Sequence, residues 1–185
     1  MQIIGKIIKK WLPLAFATAG LCALVYLTVQ QSLRMGANDP QIQMAEDAAS
    51  HLNAGASVES VLPSTRVEIA DSLAPFVIIF DESGKVLASS ATLHAAIPAY
   101  PAGVLDYVRQ NGQDRVTWQP EAGVRMATVI TAYKNGFVMA GRSLTEIEKR
   151  ESQVERLSGL AMLGIWTATL IVIIPGVLLG RQKGA

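Results

Sequence analysis

The chain has one cysteine, Cys22, and it lies inside a long apolar run. Disulfides are therefore excluded as staples for any soluble part, which must be stable through its own hydrophobic core. Cys22 reads as a small apolar residue of that run, and Leu21 before it is not the small residue that a lipoprotein cysteine needs. Acids are missing from both ends: none precedes Asp39 and none follows Glu155. Charge of either sign is absent from Trp11 to Leu33 and again from Leu157 to Gly180. Only two histidines occur, His51 and His94, in different elements and without partners at ligand spacing, so no metal site is expected. No kinase histidine box, glycine-rich nucleotide loop or nucleophile motif is present, which excludes phosphotransfer from ATP by these residues. Neither an enzyme nor a cofactor is expected. A basic stripe of the kind that holds nucleic acid is missing too.

What the sequence does have is apolar length. Half of its 185 residues are hydrophobic and 17% are charged, an unusual balance for a soluble protein. A bilayer core of ~30 Å is crossed by ~20 apolar residues in a helix, and each uncharged run is long enough. The first run is too long for a cleaved leader and lacks a small-x-small site behind it, so it reads as an uncleaved signal-anchor. Lys6, Lys9 and Lys10 precede it, and Arg181 and Lys183 follow the second run. Both short flanks therefore vote for a cytoplasmic location. Between them 15 acids face 11 bases, which a long translocated domain tolerates. Trp11 and Tyr26 fall toward the two ends of the first run, where interfacial aromatics are expected. Ala15, Ala19 and Ala23, and later Gly164 and Ala168, are small residues at four-residue spacing that permit close helix approach, although alanine is common in such helices.

The expected organisation is a cytoplasmic N-terminus at 1–10, a transmembrane helix at 11–33 and an extracytoplasmic domain at 34–142. A membrane-proximal helix at 143–157, a second transmembrane helix at 158–180 and a cytoplasmic C-terminus at 181–185 complete it. Asn38-Asp39-Pro40 opens a helix whose Ile42, Ala45, Ala49 and Leu52 share one face, and Asn53-Ala54-Gly55 closes it. Ser57–Leu62 forms a short further turn. Phe76–Phe80 is apolar throughout and predicts a strand covered on both faces; Asp81-Glu82-Ser83-Gly84 is a turn into a strand over Lys85–Ser89. Ala102–Gln110 is a short helix with Val104, Leu105 and Val108 inward. Strands over Arg115–Gln119, Val124–Tyr133 and Phe137–Ala140 follow, the last two joined by Asn135-Gly136. Ser143-Leu144-Thr145-Glu146 is a capping box with Ser143 as N-cap, and no glycine or proline interrupts the helix behind it before Gly159. The fold class is thus α+β: two transmembrane helices flanking a five-stranded antiparallel sheet with helices packed on it.

The segment Phe76-Val77-Ile78-Ile79-Phe80-Asp81-Glu82-Ser83-Gly84-Lys85-Val86-Leu87-Ala88-Ser89-Ser90 resembles the strand–turn–strand opening of extracytoplasmic PAS-like (single Cache) sensor domains of bacterial membrane receptors. Val138 to Glu148 is similar to the strand-to-signalling-helix junction of sensor histidine kinases. The resemblance covers roughly residues 1–180. It implies a sensor of the bacterial inner (cytoplasmic) membrane, with a ligand cleft between sheet and helix. It departs from those receptors in having only Gly180–Ala185 after the second run, where a kinase, cyclase or methyl-accepting module is expected. A sensor so built acts through a separate signalling partner.

Tyr107, Trp118, Arg125 and Tyr133 are the large polar-tipped residues on the elements that would line such a cleft, and an arginine among aromatics suits a small organic acid. The competing reading makes Trp118 and Tyr133 ordinary strand residues and Arg125 a solvated one. Leu144, Ile147, Val154 and Leu157 recur along the last helix as a seam for a homodimer, or for the chain's own first helix. The rival to a sensor-like binding module is a structural accessory subunit that uses the domain to dock in a larger membrane complex.

Overall fold

Apolar strands with both faces covered need two layers of helix or loop around one sheet, and the chain supplies them in order. In the computed structural model, which describes residues 2–182, the elements are α1 (Gln2–Gly36), α2 (Asp39–Asn53), β1 (Val67–Glu68), β2 (Phe76–Asp81), β3 (Val86–Ser89), β4 (Ala91–Thr92), α3 (Ala102–Asn111), β5 (Gln113–Glu121), β6 (Val124–Tyr133), β7 (Gly136–Ser143) and α4 (Thr145–Gln182). A 3-10 turn, Glu59–Val61, lies where a further turn was expected after α2. The chain divides into two units: residues 34–148, and the helical flanks on either side of them.

The first unit is α+β around a five-stranded antiparallel sheet of order β3-β2-β7-β6-β5. Alternation along the strands sends Phe76, Ile78, Phe80, Met126, Ile130 and Met139 to the face that carries α3. Val77, Ile79, Val129, Val138 and Ala140 face α2. The register Ile79↔Val138 and Phe80↔Phe137 lines up both sets. Ala45, Ala48 and Ala49 present α2's small-residue face to the sheet, which lets helix and strands approach closely. Gln41, on the same helix, is 1% exposed, and both of its amide atoms lack a partner among the described residues.

Several boundaries differ from expectation, each for a local reason. β6 has the expected bounds, while β5 and β7 are longer than expected because pairing continues past the apolar stretch, with Gln113 opposite Thr131 and Met126 opposite Ser143. Ser143 thereby stays in β7, and α4 begins at Thr145, two residues beyond the expected N-cap. Its hydroxyl accepts from the Thr145 N–H at 3.2 Å, which caps the turn into α4. β1 and β4 are two-residue strands paired in parallel that no periodicity announces.

In the second unit, α1 and α4 are both long and apolar enough to cross a membrane. Only 6% and 0% of their apolar stretches are buried, so neither is the covered core helix of a soluble protein. By length and composition alone, the pair favours membrane association. α1 starts at Gln2, so Lys6, Lys9 and Lys10 lie on it. Of the expected tail at 181–185, residues 183–185 lie outside the described ones. The helices are joined by a reciprocal tryptophan contact. Trp11 Nε1 donates to Thr169 Oγ1 at 3.1 Å and to the Trp166 carbonyl at 3.3 Å, while Trp166 Nε1 donates to the Ala15 carbonyl at 3.2 Å. The two rings meet edge to face at 5.6 Å. Ala15, one of the small residues of the first stripe, is buried at this contact. In a medium without water such bonds are worth about 0.6–2 kcal/mol each.

Candidate functional site

On the α3 face, a strap from Leu93 to Pro101 carries Tyr100 over the sheet. The Tyr100 ring stands edge-on to Trp118 at 5.1 Å and tilted against Phe80 at 6.3 Å; Trp118 in turn meets Phe76 at 6.4 Å. Thr128 Oγ1 donates to the Val116 carbonyl at 2.8 Å, so Tyr100 is the donor in the 3.3 Å contact between their hydroxyls. Burial pushes the Tyr100 phenol up to about 12, so it is a neutral donor. A shallow cleft of about 490 Å³ remains beside it, lined by Tyr100, Pro101, Val116, Trp118 and Pro120, and no charged side chain is among its lining residues. This face is closed by aromatic packing.

The strap is tied down at its other end by charge. His94 and Ala95 both adopt left-handed backbone, φ 52° and 63°, in a two-residue turn closed by the Leu93 N–H to Ala96 carbonyl bond of 2.8 Å. Non-glycine residues there cost ~1–3 kcal/mol apiece and need support. The Glu68 carboxylate supplies it, accepting from the amide N–H groups of His94 at 3.1 Å and Ala95 at 3.5 Å. Desolvation raises the Glu68 carboxyl, but these bonds together outweigh it and leave the group below its ordinary range. His94 Nε2 lies 2.8 Å from Glu121 Oε2. The hydrogen bond and charge of Glu121, with smaller help from Glu68 and Asp71, raise the His94 imidazole above its ordinary value. A raised histidine contributes stability that is complete below its unfolded pKa and is lost as pH rises through the folded one. Melting of the parent and of Glu121→Gln is therefore expected to differ most near pH ~5–6 and to converge above pH ~8. A difference that grows with pH would contradict this. The pair is exposed, so the effect is small.

The α2 face is open where the other is closed. α2 lies over β6 and β7 and leaves β2 partly uncovered. A groove of about 610 Å³ runs there between α2 and the 56–63 segment, with Val77 of β2 at its base. Gln43, Asp47 and His51 recur every four residues along the α2 wall, so successive side chains stand ~6 Å apart on one side of the helix. Met44, Val61, Leu62 and Pro63 make the rest largely apolar, with Ser60 the other polar side chain.

The four residues expected to line one cleft are not brought together. Trp118 is 5% exposed in the α3-face core, whereas Tyr107 stands 52% exposed on α3. Arg125 alternates with Val124 and Met126 of the α3-face core and so lies on the opposite side of β6, where Nη1 donates to Glu148 Oε1. Tyr133 is also on the α2 face, its hydroxyl 3.4 Å from the Phe80 carbonyl; burial, then the charge of Asp81, raises its pKa. Facing was illegible because β6 is buried on both sides from Met126 to Ile130. The groove residues were missed, although a polar stripe at 43, 47 and 51 beside an alanine face is a readable signal. Of the expected dimer seam, Ile147 and Val154 are half-buried, Leu157 is 57% exposed, and the Leu144 N–H donates to the Arg125 carbonyl at 2.9 Å. No family model, no curated protein and no solved structure matches the chain.

Proposed function

We propose that the chain is a sensor-like binding module of a bacterial inner membrane, a relative in kind of PAS-like (Cache) sensors, that conveys an outside state to a separate signalling protein. In this reading α1 and α4 span the bilayer, residues 34–148 lie outside, both termini are cytoplasmic, and two copies associate through α4. The observation that carries it is the junction between sheet and helix. β7, central in the sheet, ends at Ser143, and α4 begins after one residue and continues without a break to Gln182. The Leu144 N–H bond to Arg125 and the Arg125–Glu148 ion pair fasten the first turn of α4 to β6. A shift of strands thus has a stiff path along the chain. The hairpin, helix, three-strand order between two apolar helices also agrees with the resemblance at 76–90 and 138–148. The aromatic closure of the α3 face favours a second reading, an accessory subunit that docks through this domain.

Both readings share a topology, and single cysteines test it in a Cys22→Ala background. An impermeant thiol reagent should label Gly84→Cys and not Lys183→Cys in intact cells; the reverse pattern sinks the anchoring. Signalling is tested by disulfide trapping between copies at Ile147→Cys and Val154→Cys. The expected result is trapping whose yield changes when Arg125→Ala frees the first turn of α4. Trapping at neither position, or yields indifferent to Arg125, would leave the accessory reading.

A further inference from the structure

We propose that the α2-face groove binds a small organic cation, an amine with an apolar body, with Asp47 as its counter-charge; this deepens the sensor reading above by naming the class of ligand. Asp47 is the only acid lining the groove, and no lysine or arginine lines it. Among the described residues its carboxylate has no ion pair and no hydrogen-bond partner, unlike Asp81, Asp106 and Asp114, each of which accepts from a neighbour. Gln43 and His51, one helical turn to either side, are likewise without side-chain partners and offer further polar atoms along the same wall. The opposite wall, Val61, Leu62 and Pro63, with Met44 beside the stripe, supplies apolar surface but no donor apart from Ser60. An exposed carboxylate beside apolar lining is complementary to an ammonium on a hydrocarbon frame. An organic acid would meet Asp47 as a like charge. The volume lies within the range of small-molecule sites.

The test uses the full chain in nanodiscs with methyl-labelled methionine. The groove contains Met44, while Met126 and Met139 are buried on the other face of the sheet. Benzylamine, benzyl alcohol and benzoate share one ring and differ in charge. Benzylamine is expected to shift the Met44 methyl saturably and to leave Met126 and Met139 in place. The alcohol should bind about tenfold more weakly, the loss of one charge-assisted contact, and benzoate more weakly still. Asp47→Asn should bring benzylamine down to the level of the alcohol, with unchanged Met126 and Met139 signals as proof of fold. Equal binding of amine and alcohol, or indifference to Asp47→Asn, overturns the cation while leaving the groove as a binding site and the sensor reading intact. No movement of Met44 with any probe overturns the groove. The sensor reading stands or falls separately on the α4 trapping yields.

Discussion

Replacing Gly136 by alanine is expected to cost the domain about 3–5 kcal/mol, whereas the same change at Gly123 is expected to cost about 1–2 kcal/mol. Gly136 follows the β6–β7 turn and opens β7 with φ 152°, a region that side chains rarely adopt. An added Cβ there would stand 2.0 Å from the Phe80 carbonyl oxygen and under 3 Å from two backbone atoms of Asp81. Those atoms belong to β2, which is hydrogen-bonded on both sides, to β3 and β7, and has no room to retreat. Backbone strain of ~1–3 kcal/mol adds to a steric cost of at least similar size, about 3–5 kcal/mol in all. Set against a typical domain stability of ~5–15 kcal/mol, that removes much of the margin. Gly123 also has positive φ, 85°, but its Cβ would meet nothing within 4 Å. Only the left-handed penalty of ~1–2 kcal/mol applies there. Urea titration of the full chain in micelles, read by pulse proteolysis of the 34–148 region, measures both. Equal losses at the two glycines would refute the close approach of β2.

That contrast also shows which parts of the fold a sequence can carry. Asn135-Gly136 announces its hairpin, although the two turn residues are Lys134 and Asn135, neither with positive φ, and Gly136 opens β7 opposite Tyr133. The tight turn at His94-Ala95 sends no such signal, since its left-handed backbone is held by the distant Glu68 carboxylate and not by its own chemistry. Phe76–Phe80 was readable as a two-faced strand because every position is apolar, and for the same reason β6 hid which side Arg125 takes. Helices fared better. Ile42, Ala45, Ala49 and Leu52 mark a face at helical spacing, and all four join the α2-side core. The candidate groove depends on what α2 leaves uncovered, a property of layer packing that no local pattern contains.

The strongest coupling in the core is expected between Phe76 and Gly141, which are paired across β2 and β7. The Phe76 ring is fully buried and lies across the glycine, so that a Cβ on residue 141 would stand 2.3 Å from the ring. Gly141 therefore serves close approach and not backbone freedom, and the ring it admits braces Trp118 edge-on. Phe76→Ala alone removes a buried aromatic and should cost about 3–5 kcal/mol, transfer and cavity together. Gly141→Ala alone drives a methyl into a ring that Trp118 and the core hold in place, about 1–3 kcal/mol. With the ring gone, the new methyl enters the vacated space and fills part of it. The double variant should then cost less than the two singles added together, with a coupling of about 1–3 kcal/mol. The same pulse-proteolysis titration yields all four corners of the cycle. Additive losses would mean that the ring does not cover Gly141, and the α3-face core would then have to be packed in another way.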